Sequence, residues 1–140
     1  MTVNVTPHLN FRGDARQALE FYHQVFGGEL TIASYADMGG TDPATADHVT
    51  FGQVTADSGF SIMAYDVYPH LEWERGRDPF FVSVRGNSPE EIEGYWDRLV
   101  DGAKVKQPIG PSQWAPVYGQ LTDRFGITWV LDVAVEYPTA

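Results

Sequence analysis

The clearest alternation of apolar and polar residues in the chain lies between Phe11 and Leu30, FRGDARQALEFYHQVFGGEL. Apolar side chains recur there at the spacing that places them on one face of an α-helix. These positions are Ala15, Ala18, Leu19, Tyr22, Val25 and Phe26. Asp14 is a typical N-cap, and Gln17 occupies the second position of a capping box. Gly27 and Gly28 predict the end of the helix, because glycine readily takes the left-handed conformation found there.

A degraded copy of this pattern runs from Val84 to Val105, VRGNSPEEIEGYWDRLVDGAKV. Ser88 is the predicted N-cap, Pro89 the first helical residue and Glu91 the partner in the capping box. The apolar positions of this helix are Ile92, Tyr95, Trp96 and Leu99. A shift of 73 positions aligns the two copies and pairs Asp14 with Asn87. The chain is therefore predicted to contain two related units.

Shorter apolar and alternating runs predict strands around both helices. The predicted strands are 3–11, 29–35, 48–55 and 60–65, then 80–84, 104–108, 117–122 and 127–135. Each unit then reads βαβββ, within a single domain that has module one at 1–66, a linker at 67–78, module two at 79–135 and a tail at 136–140. This order predicts an α+β fold in which a curved mixed sheet surrounds a concave cavity, with the helices outside.

Composition limits the class of protein without naming a function. The 140 residues are 43% hydrophobic, which suffices for one compact domain. The formal net charge of −10 argues against nucleic acid and anionic membranes as partners. The absence of cysteine excludes disulfides, thiol catalysis and thiolate metal sites. Since no leader or long apolar run is present, a soluble cytoplasmic protein is expected.

The phrases PHLNFRGDARQALEFYHQVFGGEL and VYGQLTDRFGITWVLDV, within this order of elements, resemble the PhnB-like branch of the vicinal oxygen chelate superfamily. That superfamily includes glyoxalase I, bleomycin and fosfomycin resistance proteins and extradiol dioxygenases, and the branch carries the label 3-demethylubiquinone methyltransferase-like. The resemblance implies the glyoxalase/bleomycin resistance fold, a small-molecule ligand and a homodimer. The resemblance covers nearly the whole chain, but the segments 36–45 and 66–78 are not specific to it.

Metal-dependent members of the superfamily hold a divalent ion with His or Glu from four equivalent strands. In this chain the resemblance places those positions on Thr6, or on His8 if the register slips, and on Met63, Pro79 and Val130. A catalytic divalent site needs several hard nitrogen or oxygen ligands at one point. The usual metal site is therefore expected to be lost, and no cofactor is expected.

Strand alternation and the aromatic phrase SQWAPVYGQ indicate which residues could form a ligand site. The candidates are His8, Asn10, His48, Tyr65, Phe81, Trp114, Tyr118 and Gln120. If Leu9 and Phe11 pack on the helix, His8 faces the cavity as a ligand-binding group or general base. The alternative is a histidine bonded to a neighbouring tyrosine or carbonyl, with Trp114 and Tyr118 only filling space. No catalytic residue is identified.

The leading hypothesis is a metal-independent small-molecule-binding protein. One alternative is a metal-dependent lyase, isomerase or dioxygenase that uses His8 and His48. Another is a subunit of a larger assembly that docks through the aromatic segment from Tyr68 to Trp73. The methyltransferase label lacks support from the residues, because no glycine-rich turn between a strand and a helix is available for a nucleotide-like cofactor.

Overall fold

The computed structural model describes residues 3–134. Two compact units divide between Arg75 and Gly76. The elements of the first unit are β1 (His8–Phe11), α1 (Ala15–Phe26), β2 (Glu29–Ser34), a short 3-10 helix (Ala36–Met38), β3 (Val49–Thr55) and β4 (Ser61–Asp66). Those of the second are β5 (Val82–Gly86), α2 (Pro89–Leu99), β6 (Lys104–Gly110), β7 (Tyr118–Thr122) and β8 (Thr128–Val133). Neither α-helix of the described chain has the length and apolar character to cross a membrane.

Each unit contains a four-stranded mixed sheet and one helix. The first sheet has the order β1-β4-β3-β2, and the second has the order β5-β8-β7-β6. Within each, the strand before the helix pairs in parallel with the last strand of its unit, and the other pairs are antiparallel. The predicted α+β class and both βαβββ orders are confirmed.

The predicted apolar face of α1 is buried at every position, and Phe21 is buried as well. In α2 the buried residues are Ile92, Trp96 and Leu99. The prediction for Tyr95 is wrong: its side chain is half-buried and the Arg98 guanidinium lies 6.0 Å from its ring centroid. The Tyr95 ring thus packs beside an exposed arginine instead of in the core.

The sequence offset that aligns the two copies differs between their strands and their helices. Leu9 and Val82, which the shift of 73 positions pairs, are both buried strand residues on the side of their helix. The helices begin after Asp14 and Ser88, so they match at a shift one position larger. The predicted pairing of Asp14 with Asn87 is therefore wrong, because the turn before α2 is one residue longer.

The predicted side-chain cap of α1 is also wrong. Asp14 occupies the N-cap position, but its carboxylate makes no cap hydrogen bond. Asp66, at the end of β4, instead accepts from the backbone N–H of Gly13 at 2.6 Å and of Ala15 at 3.1 Å. The glycine end of α1 is confirmed, since Gly27 has φ 76° and donates to the carbonyl of His23.

Most predicted strands differ from the observed ones by one or a few residues at their ends. The largest difference is in the first, which is a strand only from His8 onward although it was predicted from Val3. The predicted tail at 136–140, and residue 135 of the last predicted strand, lie outside the described residues.

Candidate ligand-binding site

Each sheet has one face against its helix and another directed away from it, here called the distal face. In the first unit a Cβ on Gly52 would lie 2.2 Å from Cδ1 of Leu19, so Gly52 faces α1 and Gln53 faces away. In the second unit a Cβ on Gly119 would lie 2.7 Å from Trp96 in the same way. The first distal face comprises His8, Asn10, Gln53, Met63 and Tyr65. The second comprises Ser83, Arg85, Tyr118, Gln120, Val130 and Asp132.

Three predicted site residues come together on the first distal face. Nδ1 of His8 lies 3.0 Å from Oδ1 of Asn10, and the His8 ring packs edge-on against Tyr65 with 5.2 Å between centroids. Asn10 and Tyr65 are also opposite each other in the β1–β4 ladder. His8 therefore has a side-chain partner, the amide carbonyl oxygen of Asn10, as the alternative reading of a histidine bonded to a carbonyl expected. The contact with Asn10 fixes the plane of the imidazole.

His48 occupies a different place. Its ring packs edge-on against Tyr35 at 5.6 Å, and its Nε2 would lie 3.9 Å from a Cβ built on Gly13, beside the turn before α1. The ring contacts that lead from there toward His8 pass through three tyrosines. Tyr35 to Tyr68 measures 5.0 Å and Tyr68 to Tyr65 measures 6.0 Å between centroids. The two histidines thus stand at opposite ends of a chain of rings.

Tyr35, which the sequence reading did not single out, is the buried member of this chain. It is 8% exposed and its hydroxyl donates to the carbonyl of Asp66 at 2.5 Å. Burial raises the pKa of the Tyr35 phenol to about 12, with the negative charge of Asp66 as the next cause. The hydroxyl is therefore a neutral donor that serves the fold.

The aromatic segment after β4 contacts its own unit. Arg12 donates to the carbonyl of Tyr68 at 3.3 Å and to that of Leu71, and its guanidinium lies 5.9 Å from the ring centroid of Trp73. The indole N–H of Trp73 donates to the carbonyl of Asn10 at 3.1 Å. Because β1 is an edge strand, these contacts cover an edge that could pair with another chain. They use the Trp73 side chain, which the assembly hypothesis offered to a partner, and the backbone carbonyls of Tyr68 and Leu71.

The second distal face brings together three further predicted site residues. The rings of Trp114 and Tyr118 pack edge-on at 5.1 Å, and the Trp114 indole is 55% exposed. Gln120 lies two residues along the same strand as Tyr118 and pairs with Val130 of β8. Phe81 directly precedes β5 and is 47% exposed. It has no described ring contact with Trp114.

The second distal face also carries an ion pair that the sequence did not predict. Nε and Nη2 of Arg85 donate to Oδ1 and Oδ2 of Asp132 at 3.0 and 2.9 Å. The Asp132 side chain is 4% exposed and that of Arg85 is 59% exposed. The signal available in the sequence was a charged residue in the strand Trp-Val-Leu-Asp-Val, at a position that alternates with the core residues and so faces away from the helix. Its partner lies on a strand 47 residues away.

The side chains at the superfamily's metal positions do not fit a divalent ion. Thr6 Oγ1 lies 3.3 Å from Oγ of Ser61, and Met63 stands opposite His8 in the ladder. Val130 supplies only an alkyl side chain. Over residues 3–134, no group of three or more His, Asp or Glu side chains could hold a metal ion. Hard divalent cations need such convergent ligands.

Comparison with known proteins places the chain in a family. The family model described as 3-demethylubiquinone-9 3-methyltransferase matches residues 3–131. Protein YjdN of Escherichia coli (strain K12) is 25% identical over 96% of this chain and 98% of its own length. The crystal structure of protein PA1353 from Pseudomonas aeruginosa is 30% identical, with a TM-score of 0.85 over 96% of this chain and 100% of that one. The PhnB protein from Bacillus cereus is 23% identical, with a TM-score of 0.76 over 94% of this chain and 100% of that one.

A more distant structure identifies the fold. A glyoxylase/bleomycin resistance protein/dioxygenase domain from Frankia sp. EAN1pec is 14% identical and has a TM-score of 0.67 over 96% of this chain and 99% of that one. The fold is therefore that of the glyoxalase/bleomycin resistance group, as the resemblance implied. At this identity the likeness concerns the fold alone.

Proposed function

The chain belongs to the family described as 3-demethylubiquinone-9 3-methyltransferase, and we propose that it binds a small organic molecule through its distal faces without a divalent metal. The observation that carries the proposal is the contrast between the two faces of each sheet. The helix-facing side is packed with apolar side chains such as Leu9 and Leu131, both at most 1% exposed. The distal side instead holds polar and aromatic groups at partial exposure. Ligand sites combine aromatic walls with a few placed polar groups in this way.

The two faces offer different chemistry to a ligand. On the first, His8 and Asn10 present imidazole and amide groups beside the ring of Tyr65. On the second, Trp114 presents its ring beside Tyr118, and Gln120 adds an amide. Such groups bind an unsaturated organic molecule by stacking and hydrogen bonding. We include all eight candidate residues in the proposal, with His48, just before β3, contributing from beside the turn that precedes α1.

Methyl transfer with a nucleotide-like cofactor is not part of the proposal, despite the family's description. The strand–turn–helix segment that could cradle such a cofactor is the one at Gly13. There the backbone N–H groups of Gly13 and Ala15 already donate to the carboxylate of Asp66. The turn before α2 is occupied in a similar manner, since the N–H of Glu91 donates to Ser88 Oγ at 3.3 Å.

A thermal-shift screen of small organic molecules tests the proposal. A ligand at about 100 times its Kd should raise the free energy of unfolding by about 2.7 kcal/mol. We expect His8→Ala or Tyr118→Ala to reduce this stabilisation. The matched control Glu20→Gln, on the exposed side of α1, should leave it unchanged. A screen that yields no stabilising compound, or hits that ignore both distal-face variants, would contradict the proposal.

Chelation separates the metal-dependent alternative from the proposed function. Stabilisation by a hit compound should persist after dialysis against EDTA. Loss of the shift on chelation and its return with Mn²⁺ or Zn²⁺ would favour a metal-dependent lyase, isomerase or dioxygenase. In that case His8→Ala and His48→Ala should each abolish the metal response.

A homodimer and a cytoplasmic location complete the proposal. Both come from the family resemblance and the composition, and neither enters the argument for ligand binding. Light scattering at several concentrations tests the dimer. A monomer mass at all of them would remove that part and leave the distal faces as proposed.

A further inference from the structure

We propose that Arg85, oriented by Asp132 beside Trp114 and Tyr118, is an anion-recognition element that selects small aromatic or unsaturated organic acids. The inference rests on the proposed function and names the charge class of its ligand. It concerns the second distal face alone.

Three side chains form one row across that face. Arg85 stands opposite Asp132 in the β5–β8 pair, and Asp132 stands opposite Tyr118 in the β7–β8 pair. Neighbouring strands lie about 4.8 Å apart, so the backbones of Arg85 and Tyr118 are roughly 10 Å apart. A molecule of small-drug size is long enough to span this backbone separation.

The ion pair is poorly explained as a stabilising contact. Burying a carboxylate removes it from water, and an apolar residue of similar size would often serve the fold as well or better. Here Asp132 is almost completely buried whereas Arg85 remains more than half exposed. What the two-point contact does achieve is a fixed guanidinium plane, because the planar fork of arginine matches a carboxylate.

The neighbouring ring pair stands on an ordered turn. Ser112 Oγ accepts from the backbone N–H of Trp114 at 3.4 Å and of Ala115 at 3.1 Å, and the N–H of Ser112 donates to the carbonyl of Ala115 at 2.9 Å. The backbone that carries Trp114 is therefore ordered, and its ring rests against Tyr118, which lowers the entropic cost of binding. A fixed ring beside a fixed cation suits a ligand that is both planar and anionic.

The overall charge sharpens the inference. A protein of formal net charge −10 repels anions at long range. A preference for an acid over its neutral amide would therefore have to come from a local cation. Arg85 supplies one on the same face as the rings.

The test titrates the full chain with phenylacetate and, separately, with phenylacetamide, which has the same ring without the charge. Binding is followed by ¹H–¹⁵N correlation spectra at the Trp114 indole and the Arg85 Nε–H. A charge-assisted contact predicts that phenylacetate binds at least about tenfold more tightly than the amide. Arg85→Gln should reduce that preference to less than about twofold, whereas Arg98→Gln, the same charge change on α2, should preserve it.

Two further variants isolate the orienting role of Asp132. Asp132→Asn should shift the Arg85 Nε–H resonance, because it removes the carboxylate that accepts from this N–H. Arg85→Lys retains the charge without the planar fork and should give an intermediate preference, which keeps the test open if Asp132→Asn does not fold.

Equal affinity for acid and amide, or an acid preference that survives Arg85→Gln, overturns the inference. So does the absence of any response to either probe at about 10 mM, a range that reaches weak fragments. Neutral compounds that bind at Trp114 would leave the proposed function standing while this assignment fails. A broad screen without any ligand would remove both.

Discussion

The two helices begin at equivalent places in their units but obtain their N-terminal hydrogen bonds from different sources. α1 uses Asp66, whose carboxylate comes from the last strand of the unit, 51 residues beyond Ala15. α2 uses Ser88, the residue directly before its first turn. Both satisfy backbone N–H groups that a helix end leaves unpaired. The first solution depends on the assembled sheet, and the second depends only on local sequence.

The difference extends through the first unit. The Asp66 carboxylate is 1% exposed and also accepts from the N–H of Val49 at 2.9 Å, while the Asp66 carbonyl accepts from Tyr35. One residue thus joins the turn before α1, the start of β3 and the segment after β2. In the second unit the corresponding position, opposite Val84 as Asp66 is opposite Phe11, is Leu131. A local cap allows that position to be purely apolar.

Asp66→Ala should therefore produce the largest loss of stability. It leaves the N–H groups of Gly13, Ala15 and Val49 without their acceptor, and the expected decrease in the free energy of unfolding is about 3–5 kcal/mol. Urea unfolding followed by circular dichroism measures it.

Asp14→Ala is the matched control for that variant. The Asp14 side chain makes no cap bond, and its pair with Arg75, at 4.0 Å and half exposed, is weak. The expected loss is below about 1 kcal/mol. If Asp14→Ala proved more damaging than Asp66→Ala, the cap of α1 would be local after all and the contrast between the units would disappear.

Tyr35→Phe tests the same network through pH and should reduce stability by about 1–1.5 kcal/mol at neutral pH through the lost hydrogen bond. The Tyr35 pKa is raised from 10.0 to about 12 in the folded state. A raised folded pKa means that its contribution is present below pH 10 and is lost as pH rises through about 12. The free energies of unfolding of the wild type and Tyr35→Phe, measured from pH 8 upward, should become equal at the highest pH values. A gap that widens with pH would contradict the assignment.

Ser88→Ala should have a smaller effect that is confined to the second unit. Loss of a serine N-cap typically decreases the free energy of unfolding by about 1 kcal/mol. Ser88→Asp retains a capping acceptor and is the control. Hydrogen exchange should show faster exchange at the N–H of Glu91, which donates to Ser88 Oγ, and unchanged exchange in α1. Equal acceleration in both helices would show that the caps are not independent.

These helices also show what the sequence could reveal. Ser88 and Pro89 are contiguous, so the start of α2 follows from local rules. Asp66 was not identifiable as the cap of α1, because its role depends on the register between β1 and β4. The apolar faces were predictable since helical spacing is a local property. The one-residue difference between the strand and helix shifts was not, because it depends on the length of a turn.

In the candidate site, too, features set by local sequence were predictable, and features set by strand pairing were not. Strand alternation correctly placed His8 and Asn10 away from α1, because side-chain direction in a strand depends only on position. The contact between Arg85 and Asp132 depends on which strands pair and in which register, and it was missed. His48 was nominated from its position at the start of a strand. The His48 ring contacts Tyr35 and not His8, because long-range packing places the chain of rings between the two histidines.

In the second unit the carboxylate of Asp78 also links separate segments. Because it is more exposed than Asp66, we expect its removal to cause the smallest loss of stability among these variants. Asp78 accepts from Lys106 Nζ at 2.6 Å and from Thr128 Oγ1 at 2.5 Å, and these bonds, Lys106 first, lower the pKa of its carboxyl. A lowered folded pKa means that the contribution is present above the ordinary value of 3.8 and is lost as pH falls through the folded pKa. Asp78→Asn keeps a side chain that tolerates the positive φ of 51° while removing the charge.

We therefore expect Asp78→Asn to be slightly less stable than the wild type at pH 7. The free energies of unfolding of the two proteins should become equal below the ordinary carboxyl pKa. The difference should also shrink in about 1 M salt, because Lys106 and Asp78 are partly exposed and salt screens such pairs. Lys106→Gln should reproduce both dependences, and the double variant should add little. A difference that grows on acidification would contradict the lowered pKa of the Asp78 carboxyl. A difference that resists salt would mean that the bonds of Asp78 are shielded from solvent, as those of the buried Asp66 are, and the contrast between these two carboxylates would then disappear.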